Sequence, residues 1–136
     1  MSMDKPMSIF DISGRAMSAQ LVRLNATASN MANAGTVAGS AEGAYRAIRP
    51  VFTPIAEKPG VSTVTVKEIV SSDTPATKRH DPGHPLADAN GDVWESGVDS
   101  SAELVDMVDA SRMYQNNVQV LNTAKSLVLE TLRIGK

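Results

Sequence analysis

Met113-Tyr114-Gln115-Asn116-Asn117-Val118-Gln119-Val120-Leu121-Asn122-Thr123-Ala124 contains no Asp, Glu, Lys or Arg, and interleaves apolar residues with amides instead of ions. Residues 24–41 are likewise free of charge. A helix with one side in water normally carries charges on that side. Both stretches therefore read as parts of helices packed on several sides, most economically by other copies of the chain or by relatives.

Working outward, both uncharged stretches belong to long terminal helices. The first opens at Ser8, with Asp11 at the capping-box spacing and Met7 and Ile12 placed for a hydrophobic staple. Phe10, Gly14, Met17, Leu21, Leu24, Ala28 and Met31 then recur in steps of four and three, a heptad seam interrupted by Gly14. Glycine in a helix interior costs about 1 kcal/mol relative to alanine, so Gly14 points to a bend or to close backbone approach by a neighbour. Gly35 supplies the stop. The last helix starts near Ser100 with Glu103 as reciprocal cap, and ends with Arg133 before Gly135. Its seam reads Leu104, Met107, Ser111, Tyr114, Val118, Leu121, Lys125, Val128 and Leu132, widened by Val105, Val108, Ala110, Ala124 and Leu129. One partner would not cover so wide a stripe. At 1.5 Å per residue the two helices are each about 40 to 50 Å long and can pair antiparallel.

The middle is punctuated differently. Six of the seven prolines fall in residues 50–85 and seven of the nine glycines in residues 35–97, so helices are confined to the ends. Residues 45–52 and 61–70 have the β-branched, partly alternating character of strands, and Asn90-Gly91 before Asp92-Val93-Trp94-Glu95 is a hairpin signal. Residues 35–43, rich in Gly, Ala, Ser and Thr, read as a flexible connector. The expected class is α+β: long N- and C-terminal helices forming an elongated coiled-coil-like unit, with a small β-rich centre. The divisions are 1–34 for the first helix, 35–99 for the connector and β segment, and 100–136 for the last helix.

Composition narrows the function. Aromatics are only 4% and much of the 42% hydrophobic fraction is alanine, so the chain has little to build a large core with at about 25 cal/mol per Å². A net charge of −2 leaves no basic stripe for nucleic acid or anionic lipid. No window approaches the roughly 18 apolar residues of a membrane span, and the N-terminus lacks a secretory pattern, so any export is expected by another route. Without cysteine there is no thiolate nucleophile and no Cys-ligated zinc.

Candidate chemistry gives way to plainer readings. His80 and His84 would share a face only on a helix, which Asp81-Pro82-Gly83-His84-Pro85 forbids, so a loop is expected and no metal. Asp88-Ala89-Asn90-Gly91-Asp92 has its glycine at the fourth position where a calcium loop needs the sixth, and reads as a turn. No nucleophile elbow, P-loop or dinucleotide fingerprint is present. Glu103 and Asp106 fit dipole compensation in a first turn. No enzyme activity and no cofactor are expected.

Ala28-Ser29-Asn30-Met31-Ala32-Asn33-Ala34, followed by Tyr45-Arg46-Ala47 and Val51-Phe52, resembles the N-terminal signature of bacterial flagellar axial proteins, the rod and hook family. Residues 107–118, then Asn122-Thr123-Ala124-Lys125 and Thr131-Leu132, resemble the closing helix of that family. Asp81-Pro82-Gly83-His84-Pro85 with Ala87-Asp88 and Asn90-Gly91 points within it to a proximal rod member. His80 stands where the family commonly has Tyr, and residues 91–99 depart from its Gly-Tyr-Val and Pro-Asn-Val-Asn pattern. The resemblance implies a subunit of the hollow rod that crosses the periplasm, moved out unfolded by the flagellar type III export apparatus without a cleaved signal. Its partners would be other rod subunits, neighbouring basal-body proteins and, in transit, that apparatus, with no nucleic acid and no membrane insertion.

The resulting expectation is a structural subunit whose terminal helices line a tube that transmits torque and passes exported subunits. Met17, Leu21, Leu24, Met31, Met107, Tyr114, Val118, Leu121 and Val128 would supply adhesion between subunits. Asn25, Asn30, Asn33, Gln115, Asn116, Asn117, Gln119 and Asn122 would hydrogen-bond between helices and fix register, since each unpaired buried amide group costs about 1 to 3 kcal/mol. The helices are expected to be partly disordered in the free monomer. The alternatives are another rod subunit of the same family, or a coiled-coil adaptor that pairs with itself. An enzyme using His80 or His84 is the third reading.

Overall fold

A computed structural model describes residues 8–135, in the order α1 (Ile9–Asn33), β1 (Val37–Ala38), β2 (Ile48–Lys58), β3 (Val61–Ser71), β4 (Thr77–His80), β5 (Asp92–Glu95) and α2 (Ser100–Ile134). The α+β class stands. Ser8 caps α1 through the expected box: its hydroxyl accepts from the Asp11 amide, and the Asp11 carboxylate accepts from the Ser8 amide at 3.0 Å. The staple partner Met7 lies outside the described residues. Gly35, with φ +77, turns the chain out of α1.

The start of α2 corrects one expectation. Asp99, rather than Ser100, is the N-cap, and its carboxylate accepts from the amides of Ser101 and Ala102. Glu103 is thereby released from capping and turns inward, where it is 1% exposed.

The two strands expected in the middle form an antiparallel hairpin, β2 with β3, turning at Gly60 where φ is +81. Tyr45 and its two successors precede the strand rather than belonging to it. Pro50 and Pro54 have the same parity on β2, which has a single partner, so their missing donors fall on the outer edge. A second sheet has the order β1-β5-β4, antiparallel throughout. Residues 35–43 are thus more than a flexible connector: Val37 and Ala38 pair with Glu95 and Trp94. Buried Ser96 fastens this corner, its hydroxyl donating to the Asn33 carbonyl and accepting from the Gly35 amide.

α1 lies between α2 and the β2–β3 hairpin. The helices are antiparallel: Asn30 meets Glu103, Arg23 meets Asp106, and Ile9 lies beside Val120 and Thr123. α2 therefore outruns the start of α1, leaving residues 127–134 exposed.

The interior departs from the expected seams. On α2 the inward positions are 103, 107, 110, 114, 117, 121 and 124, a heptad series shifted from the expected one that began at Leu104. Ala110 and Ala124 are buried there, while Leu104, Val105, Val108, Leu129 and Leu132 are exposed. On α1 the buried residues are Ser13, Ala19, Ala26, Thr27 and Asn30, whereas Phe10, Leu21 and Ala28 of the expected seam face outward. Small side chains let the two helix axes draw together. Gly14 receives no close approach within the chain, since a Cβ built there meets nothing within 4 Å.

Candidate functional site

Two polar centres hold the helices and sheets in place. In the first, Asn30 uses its whole amide: Nδ2 donates to the Ile48 carbonyl at 3.0 Å and to Glu103 Oε2 at 3.1 Å. Its Oδ1 accepts from the Ile48 amide at 2.8 Å and from the Tyr45 hydroxyl at 2.9 Å. Arg49 closes on Glu103 with Nη1 to Oε2 at 2.8 Å and Nη2 to Oε1. Donation of hydrogen bonds to the Glu103 carboxylate holds the Arg49 guanidinium above its ordinary pKa. Arg23 reaches across to Asp106 at 2.8 Å and Asp109 at 3.1 Å. Thus α1, α2 and the start of β2 are joined by charge-assisted bonds, which fix both geometry and register.

In the second centre, buried Asp92 on β5 accepts from Lys78 Nζ at 2.6 Å and lies 2.8 Å from His80 Nδ1. These two hydrogen bonds, Lys78 first, hold the Asp92 carboxyl below the usual range, and Asp92 raises Lys78. His84 Nδ1 accepts from the Leu86 amide, and Asp88 Oδ1 accepts from the amides of Asn90 and Asp92 as a turn. Among the described residues no group of three or more His, Asp or Glu is placed to hold a metal ion, and no helix is long and apolar enough to cross a membrane.

The residues expected at subunit contacts divide three ways. Leu21, Gln115, Asn122 and Val128 are exposed; Met17, Leu24, Met31, Met107, Tyr114, Val118 and Leu121 are half-buried. Asn33 and Asn117, also half-buried, each donate back to their own helix, to the carbonyls of Ser29 and Met113. Asn30 is a correction: it is fully buried and all its bonds are internal, so it has none left for another subunit. Sequence reasoning missed Arg49 and the true role of Glu103. A signal existed, since Glu103, Ala110, Asn117 and Ala124 recur every seven residues.

The outward surface of α2 carries large aliphatic side chains, whereas its fully buried positions are Glu103, Ala110 and Ala124. This distribution is that of a protein built to be covered. Comparison with known proteins agrees. A family described as flagella basal body rod protein matches residues 10–39, and one described as flagellar basal body rod FlgEFG protein C-terminal matches residues 89–134. The flagellar basal-body rod protein FlgC of Yersinia enterocolitica is 49% identical over 132 residues, 96% of this chain and 98% of its own length. The chain belongs to the FlgC family of flagellar basal-body rod proteins. FlgC of Salmonella typhimurium and of Escherichia coli O157:H7 are each 46% identical over the same shares of both chains. The two family matches fall on α1 with β1 and on β5 with α2, so likeness to FlgC proteins extends the kinship across the intervening hairpin.

Proposed function

We propose that the chain is a structural subunit of the flagellar basal-body rod, joined to neighbouring rod components through the outward faces of α1 and α2. The observation that carries this reading is the inversion of side-chain size. Exposed Leu104, Val105, Leu127, Leu129 and Leu132 are left 48–70% uncovered by the described residues, while six of the seven buried hydrophobic residues are alanine. Burying one such aliphatic side chain is worth about 1.5–3 kcal/mol, so the strongest available stabilisation lies between subunits.

In this reading the parts 1–34 and 100–136 form the wall of a hollow shaft crossing the periplasm, and 35–99 lies outside it. Leu21, Leu24, Met31, Val118 and Val128 contribute contact, Gln115 and Asn122 contribute directional bonds, and Met107, Tyr114 and Leu121, on the inward series of α2, offer only their half-exposed edges. The chain passes the type III export apparatus unfolded and without a cleaved signal; a mass for the rod-incorporated chain short of its N-terminal residues would contradict this. We assign it no catalytic role.

The test is incorporation. Leu104→Glu with Leu132→Glu changes two exposed residues, so helix content is expected to persist while the chain disappears from purified basal bodies and motility is lost. Normal incorporation of that variant would overturn the reading. A closed dimer of fixed mass in light scattering, unchanged by other rod proteins, would favour a self-pairing adaptor instead.

A further inference from the structure

Asn90 is the one asparagine in the chain that precedes a glycine; Asn25, Asn30, Asn33, Asn116, Asn117 and Asn122 are each followed by a residue with a side chain. The side-chain carbonyl carbon of an asparagine is open to attack by the backbone nitrogen of the next residue, and glycine there removes the Cβ that hinders the approach. The fold has no freedom to replace that glycine. Gly91 has φ +76, and a Cβ built on it would lie 3.0 Å from Pro82 Cγ and 3.1 Å from His80 Cε1. A reactive pair therefore stands in the turn before β5, where Asn90 is exposed and its side-chain amide makes no hydrogen bond to a described residue.

The same turn withholds the nucleophile. The Gly91 amide donates to the Asp88 carbonyl at 3.0 Å, closing a four-residue turn whose central residues are Ala89 and Asn90. Neither central residue has a positive φ, so the turn is type I and holds ψ of Asn90 at about 0°. Ring closure requires the Gly91 nitrogen to eclipse Asn90 Cβ about the Cα–C bond, a large rotation away. Asp88 Oδ1 fixes both flanks, accepting from the Asn90 amide at 2.8 Å and the Asp92 amide at 2.9 Å. The Asp88 carboxylate also opposes the loss of the Gly91 amide proton that makes the nitrogen nucleophilic, because it disfavours a second negative charge nearby.

We propose that Asn90 is a spontaneous deamidation site gated by folding, closed once the Asp88 turn has formed and open whenever the chain is unfolded. In the open state the Gly91 nitrogen gives its proton to solvent base and bonds to Asn90 Cγ; the Cγ–Nδ2 bond breaks, and ammonia leaves after taking a proton from water. Water then opens the succinimide at either carbonyl, giving aspartate or isoaspartate. Isoaspartate places Cβ in the main chain, so the Gly91 and Asp92 amides no longer both reach Asp88, and a chain that refolds after reacting loses the turn that leads into β5. The site belongs to the chain by itself; in the export reading it also limits how long a chain can wait unfolded.

The test follows the full-length chain at mildly alkaline pH, folded in buffer and unfolded in guanidinium chloride. Peptides covering residue 90 are measured for the mass gain of amide-to-acid conversion and for the separately eluting isoaspartyl form. Conversion is expected to run at least tenfold faster in the unfolded chain, and there ahead of every other asparagine. Gly91→Ala, compared in denaturant where its fit to the fold is irrelevant, is expected to slow it at least tenfold. Asp88→Ala is expected to raise the rate in buffer at least fivefold with helix content retained by circular dichroism. Folded and unfolded rates within twofold of each other in the parent chain, another asparagine reacting first in denaturant, or an unaltered denatured rate in Gly91→Ala would each overturn the proposal. Refolded isoaspartyl chains are expected to unfold at lower urea than Asn90→Asp, which keeps the ordinary backbone; equal midpoints would overturn the loss of the turn.

Discussion

Glu103 and Arg49 are bound to each other but unequally placed: the carboxylate side chain is 1% exposed and the guanidinium 41%. Removing the arginine strands a buried charge, whereas removing the carboxylate leaves an arginine that can reach water. Arg49→Ala is therefore expected to destabilise the chain by about 3 kcal/mol and Glu103→Ala by about 2 kcal/mol, read from urea unfolding. Equal losses would show that burial does not set the balance. Asp92 gives a pH signature. Its folded pKa is depressed, so its contribution is present above the unfolded value of about 3.9 and is lost as pH falls through the lower folded value. Asp92→Asn should abolish that acid-limb dependence, and an unchanged limb in the variant would contradict the assignment. Gly14→Ala should stabilise the isolated chain by about 0.5–1 kcal/mol, since the helix gains propensity and the added methyl meets nothing within it. Of these residues Gly14 and Glu103 stood out in the sequence, the latter as a helix cap. Asp92 looked like a turn residue, and Arg49 was one of two arginines in an otherwise uncharged stretch, with its partner 54 positions away.

At the level of elements, helix starts and stops were legible where the signal is local. Ser8 with Asp11 and the glycine after α1 behave as read, because capping involves neighbours in sequence. Ser100 with Glu103 matched the same template and did not cap, because Asp99 stands one position earlier and accepts both first-turn amides. Asp99→Ala should cost about 1 kcal/mol in thermal or urea unfolding. The seams misled for a different reason. A heptad pattern of large aliphatics marks a face to be buried, but it does not say whether the chain or a neighbour buries it. The hairpin was legible from its β-branched alternation, whereas β1 and β4, two and four residues long, carry too little pattern to be read. For α2, hydrogen exchange in the free chain should run fastest over residues 127–134, beyond α1, and slowest near Ala110. Uniform strong protection to the end of α2 would contradict this and also the expected partial disorder of the terminal helices.

For the whole molecule, the α+β outline and family kinship could be read from the two ends, while the arrangement of the middle depended on pairings between distant residues. What the helices bury in the chain is alanine, serine, threonine, one asparagine and one glutamate, and this has a calorimetric consequence. The heat capacity of unfolding scales with apolar area exposed, and an ordinary domain of this length would show about 1.6–2.0 kcal/mol/K. The free chain, which hides few large aliphatic groups, should fall clearly below that range, with a correspondingly shallow dependence on urea. The missing heat capacity is deferred to assembly: a large negative change should accompany association with rod neighbours, so that the thermal signature of a hydrophobic core belongs to the polymer and not to the subunit.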